Sequence, residues 1–418
     1  MSTNDIIFFA GIDWDNGNKM PCHHVVERLA RRHRVFYIDN FGGIRDLTWS
    51  DARRALRKLR SIVSHKEHKE ESSAEAPMLQ DSSCQEQKTA NQQLPTGNRQ
   101  PEPPVIDRPM IIPIPRTRVL QVCNGWLLNR RLKRLIRNHR IEKPIIWTRL
   151  PIELVWRAIE GVDRSLLLYQ MIDKFPEHPK IARGLRERHG RWERWFSENA
   201  DVVFASARGL WEEKKAVNPR SCFFPNGASG IFRMAGVPEE SLERRAPVVG
   251  FAGAIGTSLD LEWVSEVARA RPRYRFVFLG TIDPEIDLSG LRSLPNVSLE
   301  GRVPHDRLPE WFGMFDAALM AYRYNDYQKY TFPSKMAEYL LAGLPVVSNR
   351  IPEVEPYGEV VHVVDTPDEM ASALDRAVRE RTDPVLLERR RSLGESLSWD
   401  RIVEGMEEVI EERMREGR

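Results

Sequence analysis

The sequence predicts an α/β protein made of two doubly wound, Rossmann-like domains. Short runs that are apolar almost throughout alternate with helix-like stretches, as in parallel sheets covered on both faces. That alternation runs through the first half and starts again in the second. With 418 residues the chain also exceeds one ordinary core, since domains run about 100 to 200 residues.

In the first half the strand candidates are IIFFAG (6–11), RVFYID (34–39), PIIWT (144–148), SLLLYQM (165–171), DVVFAS (201–206) and SCFFP (221–225), with a helix expected over 20–32. In the second they are PVVGFAGA (247–254), YRFVFLG (274–280), NVSLEG (296–301), DAALMAY (316–322), PVVSN (345–349) and VVHVVD (360–365). The polar stretch AGVPEESLERRA, residues 235–246, separates the series, which places the domains at 1–235 and 236–395. Residues 396–418 read as one closing helix with Ser398 as its N-cap. Residues 64–104 hold few apolar residues and many Glu, Gln, Ser and Pro, so they read as a disordered surface insertion. No solenoid period is present.

Composition narrows the class. The chain is 41% hydrophobic and 29% charged, ordinary for a globular protein, and no apolar run approaches the roughly 18 to 20 residues of a membrane span. MSTNDIIFFAG lacks a basic lead-in, so it reads as a first strand and not a signal peptide, with the cytoplasm as the expected location. Cys22, Cys84, Cys123 and Cys222 are scattered without zinc-type spacing, which points to reduced thiols and no bound metal. Residues 1–235 carry 40 Lys+Arg against 27 Asp+Glu, and the remainder 23 against 33. The basic half should meet something anionic.

Ligands bind beyond the C-terminal ends of strands in such sheets, so the loops there carry the candidates. In the second half these are Gly253-Ala254-Ile255-Gly256, Gly280-Thr281, Gly301-Arg302-Val303 and Tyr322 to Phe332. Glycine lets a ligand approach the backbone, and a following helix start offers free N–H groups to an anion. In TFPSKMAEYLLAGLPVVSN (331–349), Pro333 and Ser334 begin a helix that Gly343 and Pro345 end. Lys335 and Glu338 share one face at i,i+3. A lysine in the first turn opposes the helix dipole unless an anion lies near. We therefore expect phosphate at Lys335 and a sugar hydroxyl at Glu338; the plain alternative is an i,i+3 ion pair worth about 0.2 to 0.5 kcal/mol.

ADVVFASARGLWEEK (200–214), FPNGASGIF (224–232), VVGFAGAIGTSLDLEWV (248–264), LPNVSLEGRVPHDRLPEWFGMFDAALMAY (294–322), FPSKMAEYLLAGLPVVSN (332–349) and SWDR (398–401) occur in an order that resembles GT-B glycosyltransferases. The nearest likeness is to retaining enzymes of the GT4-like group and bacterial polysaccharide transferases. The resemblance implies a C-terminal domain that binds a nucleotide sugar, UDP-linked by preference, and an N-terminal domain that presents the acceptor. It implies ribose at Glu338, diphosphate near Lys335 and the 253–256 loop, and the base framed by Gly301 to Val303. It also implies a last helix that crosses back to the first domain. Two positions depart from the pattern: Tyr330 stands where such enzymes carry the first Glu of a Glu-x7-Glu motif, and the segment after Gly253 lacks the usual Arg and Lys. Arg302, Arg323 and Lys329 can replace that charge, or each can serve simply as a surface residue.

In the first domain, Asp13-Trp14-Asp15 has a DxD form, yet metal-independent chemistry is expected in this fold. Lys19 is a candidate contact to diphosphate or acceptor. Cys22, His23 and His24 diverge around a helix, which disfavours joint chelation; one of the two histidines can reach the cleft, with surface histidines the stronger expectation. Asp173, in YQMIDKF, can orient or deprotonate an acceptor hydroxyl, or simply cap a helix. Residues 53–66 and 129–140 set basic side chains around Leu and Ile, which suits either an anionic membrane surface or a solvated face on core-packed helices. No nucleic-acid motif accompanies them. The expected function is sugar transfer to a sugar or lipid-linked acceptor in polysaccharide or glycolipid assembly. A nucleotide-sugar epimerase of the same fold, or an inactive binding or scaffold subunit, are the alternatives.

Overall fold

The computed structural model describes residues 3–15, 19–39, 103–109, 118–174, 183–236, 246–323 and 330–417. In the N-terminal domain the elements are β1 (Asp5–Phe9), α1 (Pro21–Leu29), β2 (Arg34–Ile38), β3 (Val105–Asp107), α2 (Arg118–Asn138), β4 (Ile145–Thr148), α3 (Glu153–Ile159), β5 (Leu166–Met171), α4 (Arg183–Asn199), β6 (Val202–Ala205), α5 (Arg208–Lys215) and β7 (Ser221–Phe223). The C-terminal domain continues with β8 (Val248–Ala252), α6 (Leu261–Ala270), β9 (Arg275–Leu279), α7 (Ser289–Arg292), β10 (Val297–Gly301), α8 (Leu308–Met314), β11 (Ala317–Met320), α9 (Ser334–Leu341), β12 (Val346–Asn349), β13 (Val361–Val364), α10 (Pro367–Glu380) and α11 (Pro384–Ser396). Helix α12 (Trp399–Glu416) closes the chain.

The predicted α/β class is borne out. One sheet has the order β3-β2-β1-β4-β5-β6-β7 and the other β10-β9-β8-β11-β12-β13, and every pairing is parallel. Both orders reverse after their first strand, so each sheet has a switch-point crevice, between β1 and β4 and between β8 and β11. Each predicted strand forms; β3 is an additional edge strand of three residues with no buried position. The basic run 53–66 and the insertion over 64–104, apart from 103 and 104, lie outside the described residues, as does 237–245 of the expected linker.

Each sheet is packed on both faces. In the first, Ile7, Phe9, Ile146, Leu167 and Tyr169 join residues of α2, α3 and α5 on one side, while Ile6, Phe8, Trp147 and Leu168 meet α1 on the other. That second face is completed by Trp399, Ile402, Val403, Met406 and Ile410 of α12. The last helix therefore returns to the first domain, as the resemblance implied. The chain crosses to the second domain earlier than residue 235: Ala228, Phe232 and Ala235 already pack in the C-terminal core.

Ser398 caps α12, its hydroxyl accepting from Arg401 N–H at 3.4 Å, and Asp400 pairs with Arg28 of α1 at 2.9 Å. His24 of α1 stacks on Trp399, with centroids 5.4 Å apart and planes 13° from parallel. Both His23 and His24 are buried, at 3% and 7% exposure, which corrects the surface histidines expected there. The reason is tertiary, because α12 and the opposite domain cover a helix face that would otherwise meet water.

Trp399→Ala should lower stability by roughly 3–5 kcal/mol, the usual cost of a large-to-small change in a packed core, read from the urea midpoint. A fall below about 1 kcal/mol would show that α12 docks without it. Burial, reinforced by Arg28 and His305, pushes the His24 imidazole down to about 3. The folded chain keeps His24 neutral where the unfolded chain takes up a proton. Stability from this group is full above the ordinary histidine value and is lost as pH falls toward 3, by about 2 kcal/mol at pH 5. His24→Phe keeps the stack and should flatten that acid limb in a series of midpoints against pH; an unchanged slope would assign the limb to other groups.

Candidate functional site

The strand ends of the two sheets face each other across a cleft. Lys174, after β5, lies over the Tyr330 ring of the second domain, 4.4 Å from its centroid. Gly209, in α5, donates its N–H to Glu353 Oε1 at 3.1 Å. The rings of His24 and His305 are 6.2 Å apart.

On the C-terminal wall, Met336, Leu340 and Leu341 of α9 are fully buried or nearly so, which fixes the helix against its sheet. Gly343 takes a φ of 76°, a left-handed value that ends the helix. Leu344 N–H then closes back on the Tyr339 carbonyl at 2.9 Å. Tyr339 also reaches across: Ala252 N–H donates to its hydroxyl at 2.7 Å, locking the end of β8, and so the Gly253 loop, to α9. A Cβ on Gly280 would lie 1.8 Å from the Gly253 carbonyl, so glycine there is required by the approach of these two loops to each other. Tyr322 is set by Asn349, whose amide accepts from Tyr322 N–H at 3.0 Å and donates to its carbonyl at 2.7 Å. Tyr322 is half-buried beside the β8 loop, Val303 half-buried and Arg302 exposed after β10, and Ser334 opens α9.

Lys335 Nζ lies 2.7 Å from Glu338 Oε2, with side-chain exposures of 25% and 10%. The plain alternative of an ion pair is therefore present, and it is half sheltered. It sits beside His305, whose imidazole is held below its ordinary value chiefly by burial, with Glu338 opposing that shift and Lys335 and Lys19 adding to it. Lys19 comes from the opposite wall, where it pairs with Glu27 at 2.7 Å. Residues 19, 24, 305, 335 and 338 thus converge on one stretch of the cleft, with Gly253, Ala254 and Gly256 on the adjoining loop. Lys329 lies outside the described residues.

Asp173 is half-buried in the loop after β5, next to Lys174, which pairs with Glu213 at 2.8 Å. Asp15 is held by Arg108, and Asp39 accepts from Trp14 N–H at 3.1 Å and Arg108 Nε at 3.0 Å. The DxD segment is thereby tied into the first domain's own network. Leu132 and Leu135 of the 129–140 region are buried, so this part of the helix is core-packed while its basic residues Arg130, Lys133 and Arg134 are exposed. Sequence reasoning missed His305 and Lys174, single loop residues whose neighbours come from distant segments, and Arg149, which only the sheet order places at a switch point.

Residues 246–380 match the model of the family Glycosyl transferases group 1. A protein of Bacillus subtilis (strain 168), provisionally named teichuronic acid biosynthesis glycosyltransferase TuaH, is 28% identical over 163 residues, 38% of this chain and 41% of that relative. The match thus spans about two fifths of that relative's length. Among solved structures, sucrose-phosphate synthase from Thermosynechococcus elongatus superposes with a TM-score of 0.63 at 14% identity over 98% of both chains. Anabaena Alr3699/HepE, solved in complex with UDP, gives 0.62 at 11% identity over 98% of this chain and 100% of that one. The resemblance read from the sequence is borne out at this level: the chain has the two-domain GT-B fold, and its residues 246–380 are similar to the Glycosyl transferases group 1 family.

Proposed function

We propose that the chain is a glycosyltransferase that moves a sugar from a nucleotide diphosphate donor, UDP-linked by preference, to an acceptor hydroxyl. The observation that carries this reading is the Lys335–Glu338 pair at the start of α9, facing Lys19 and His24 across the cleft through His305. An acceptor carboxylate suits the vicinal hydroxyls of a ribose, and a cation stabilises charge that grows on a leaving diphosphate. In the free chain the two groups satisfy each other; a donor that offers hydroxyls to one and phosphate to the other replaces their mutual bond with two. The glycines of the 253–256 loop and the base-framing 301–303 loop complete the donor side. Asp173 is assigned to the acceptor hydroxyl, and the reaction is read as retaining and metal-independent. The acceptor is read as a sugar or lipid-linked sugar of polysaccharide or glycolipid assembly, handled at the cytoplasmic side. A similar protein bears a teichuronic acid biosynthesis name, and a protein of similar fold was solved with UDP and glucose.

Thermal-shift measurements with UDP, GDP, dTDP and their sugars should show stabilisation by UDP above the others, since a ligand that binds only the native state raises its stability. No shift with any nucleotide would reject the reading. Lys335→Ala and Glu338→Gln should each cut transfer by about 10²–10³-fold, the range for losing one transition-state contact, with folded circular dichroism retained. Turnover within a factor of a few of the wild type would remove that residue from the site.

An anionic membrane surface is the partner proposed for the first domain. The outward side of α2 sets exposed Val122, Trp126 and Leu127 beside exposed Arg130, Lys133 and Arg134, an apolar and basic pairing suited to a lipid headgroup layer. Flotation with vesicles of mixed phosphatidylglycerol and phosphatidylcholine should capture the chain at low salt and fail for Trp126→Ser with Arg130→Ser. Equal capture of the variant would reject this surface.

A further inference from the structure

We propose that Arg149, flanked by His23 and Gln170, anchors an anion subsite on the N-terminal wall of the cleft for a carboxylate or a phosphate monoester carried by a substrate. The nature of the substrates rests on the transferase reading; the existence of the subsite does not.

The topology places all three at the switch point of the first sheet. Arg149 follows β4 directly, and its backbone N–H donates to the Phe9 carbonyl at the end of β1, 3.2 Å away. The register pairs Thr148 with Tyr169, which sets Arg149 beside Gln170 one step further along. Side chains alternate along a strand. Because Ile145 and Trp147, like Leu166 and Leu168, point to the face covered by α1 and α12, Arg149 and Gln170 lie on that same face. His23 stands over it in the first turn of α1, close enough for the guanidinium charge to bear on its imidazole.

The Arg149 guanidinium is half-buried and incompletely satisfied. Nε and Nη1 of Arg149 are shielded from solvent with no hydrogen-bond partner; beside them His23, whose ring bonds the Asp13 backbone, and Gln170 are 3% and 4% exposed. His23 Nδ1 accepts from Met20 N–H at 2.9 Å, so in the neutral ring Nε2 carries the proton and is a donor. No carboxylate among the described residues pairs with Arg149. A shielded donor left unpaired costs free energy, and more so when it carries charge. Two shielded guanidinium donors at one switch point match a small anion with two or more acceptor oxygens. Trp14 adds an apolar wall, meeting His23 edge-on at 5.3 Å. The subsite is separate from Lys335 and Glu338 on the opposite wall; Lys19 lies between them, bearing on both His23 and His305.

The test compares wild type, Arg149→Met and Arg149→Lys by thermal shift and calorimetry. Without ligand, Arg149→Met should melt at or above the wild-type temperature, because it removes an uncompensated charge. UDP alone should bind all three chains equally, which tests the transferase reading separately. With UDP saturating, inorganic phosphate or glucuronate adding further stabilisation where glucose adds none would place the anion on the acceptor. A preference for UDP-glucuronate over UDP-glucose of tenfold or more would place it on the donor sugar. Either effect should vanish in Arg149→Met and persist in weakened form in Arg149→Lys. Anion binding that depends on Arg149 in a chain blind to UDP would uphold the subsite and reject the transferase. The subsite is overturned if Arg149→Met melts several degrees lower, as a structural arginine would, or if no anion distinguishes it from wild type.

Discussion

The cleft depends on one seam, where the two crossings between domains lie side by side and hydrogen-bond to each other. Ala228 N–H donates to the Leu397 carbonyl at 2.9 Å, and Trp399 N–H donates to the Ala228 carbonyl at 3.0 Å. A Cβ on Gly227 would meet Trp399 N and Ile402 Cδ1 at 2.9 Å, so only glycine lets the segments lie this close. From the seam the chain runs in one direction into the C-terminal core through Phe232 and in the other into the N-terminal core through Trp399. The orientation of the walls, and with it the meeting of His24 and His305, follows from two backbone hydrogen bonds and the side chains packed on either side of them.

Much of this architecture was legible in the residues. The twelve predicted strands stood out because parallel strands buried on both faces are apolar without alternation. The start and stop of α9 were legible because proline, lysine and glycine each have a local physical meaning at a helix terminus. What escaped was non-local. Strand β3 has three residues on a sheet edge and presents no apolar run. The burial of His23 and His24 depends on a helix more than 370 positions further on, and nothing in PCHHVVERL announces its arrival. Arg149 is one of 63 basic residues; only the sheet order makes it a residue at a switch point.

The walls also differ in how they treat charge. On the C-terminal side Lys335 and Glu338 neutralise each other within one helical turn. On the N-terminal side Lys19 and Lys174 are answered by Glu27 and Glu213, and Arg149 by no carboxylate among the described residues. Folding alone rewards the paired arrangement. An unpaired one lowers the stability of the free chain, and its retention at a crevice has the character of a site whose polar groups are held ready in advance of their partner.

Glu353 gives the domain contact a further meaning. It is 1% exposed, burial raises its carboxyl above the ordinary range, and it accepts from Gly209 N–H while Ala207 at the N-cap of α5 offers no side-chain bond of its own. The second domain thus supplies a cap to a helix of the first. If the domains swing apart, that helix loses its terminal acceptor and the carboxylate returns to water. Breathing of the cleft would then be written into the fraying of α5, and amide exchange at Gly209 would count the openings.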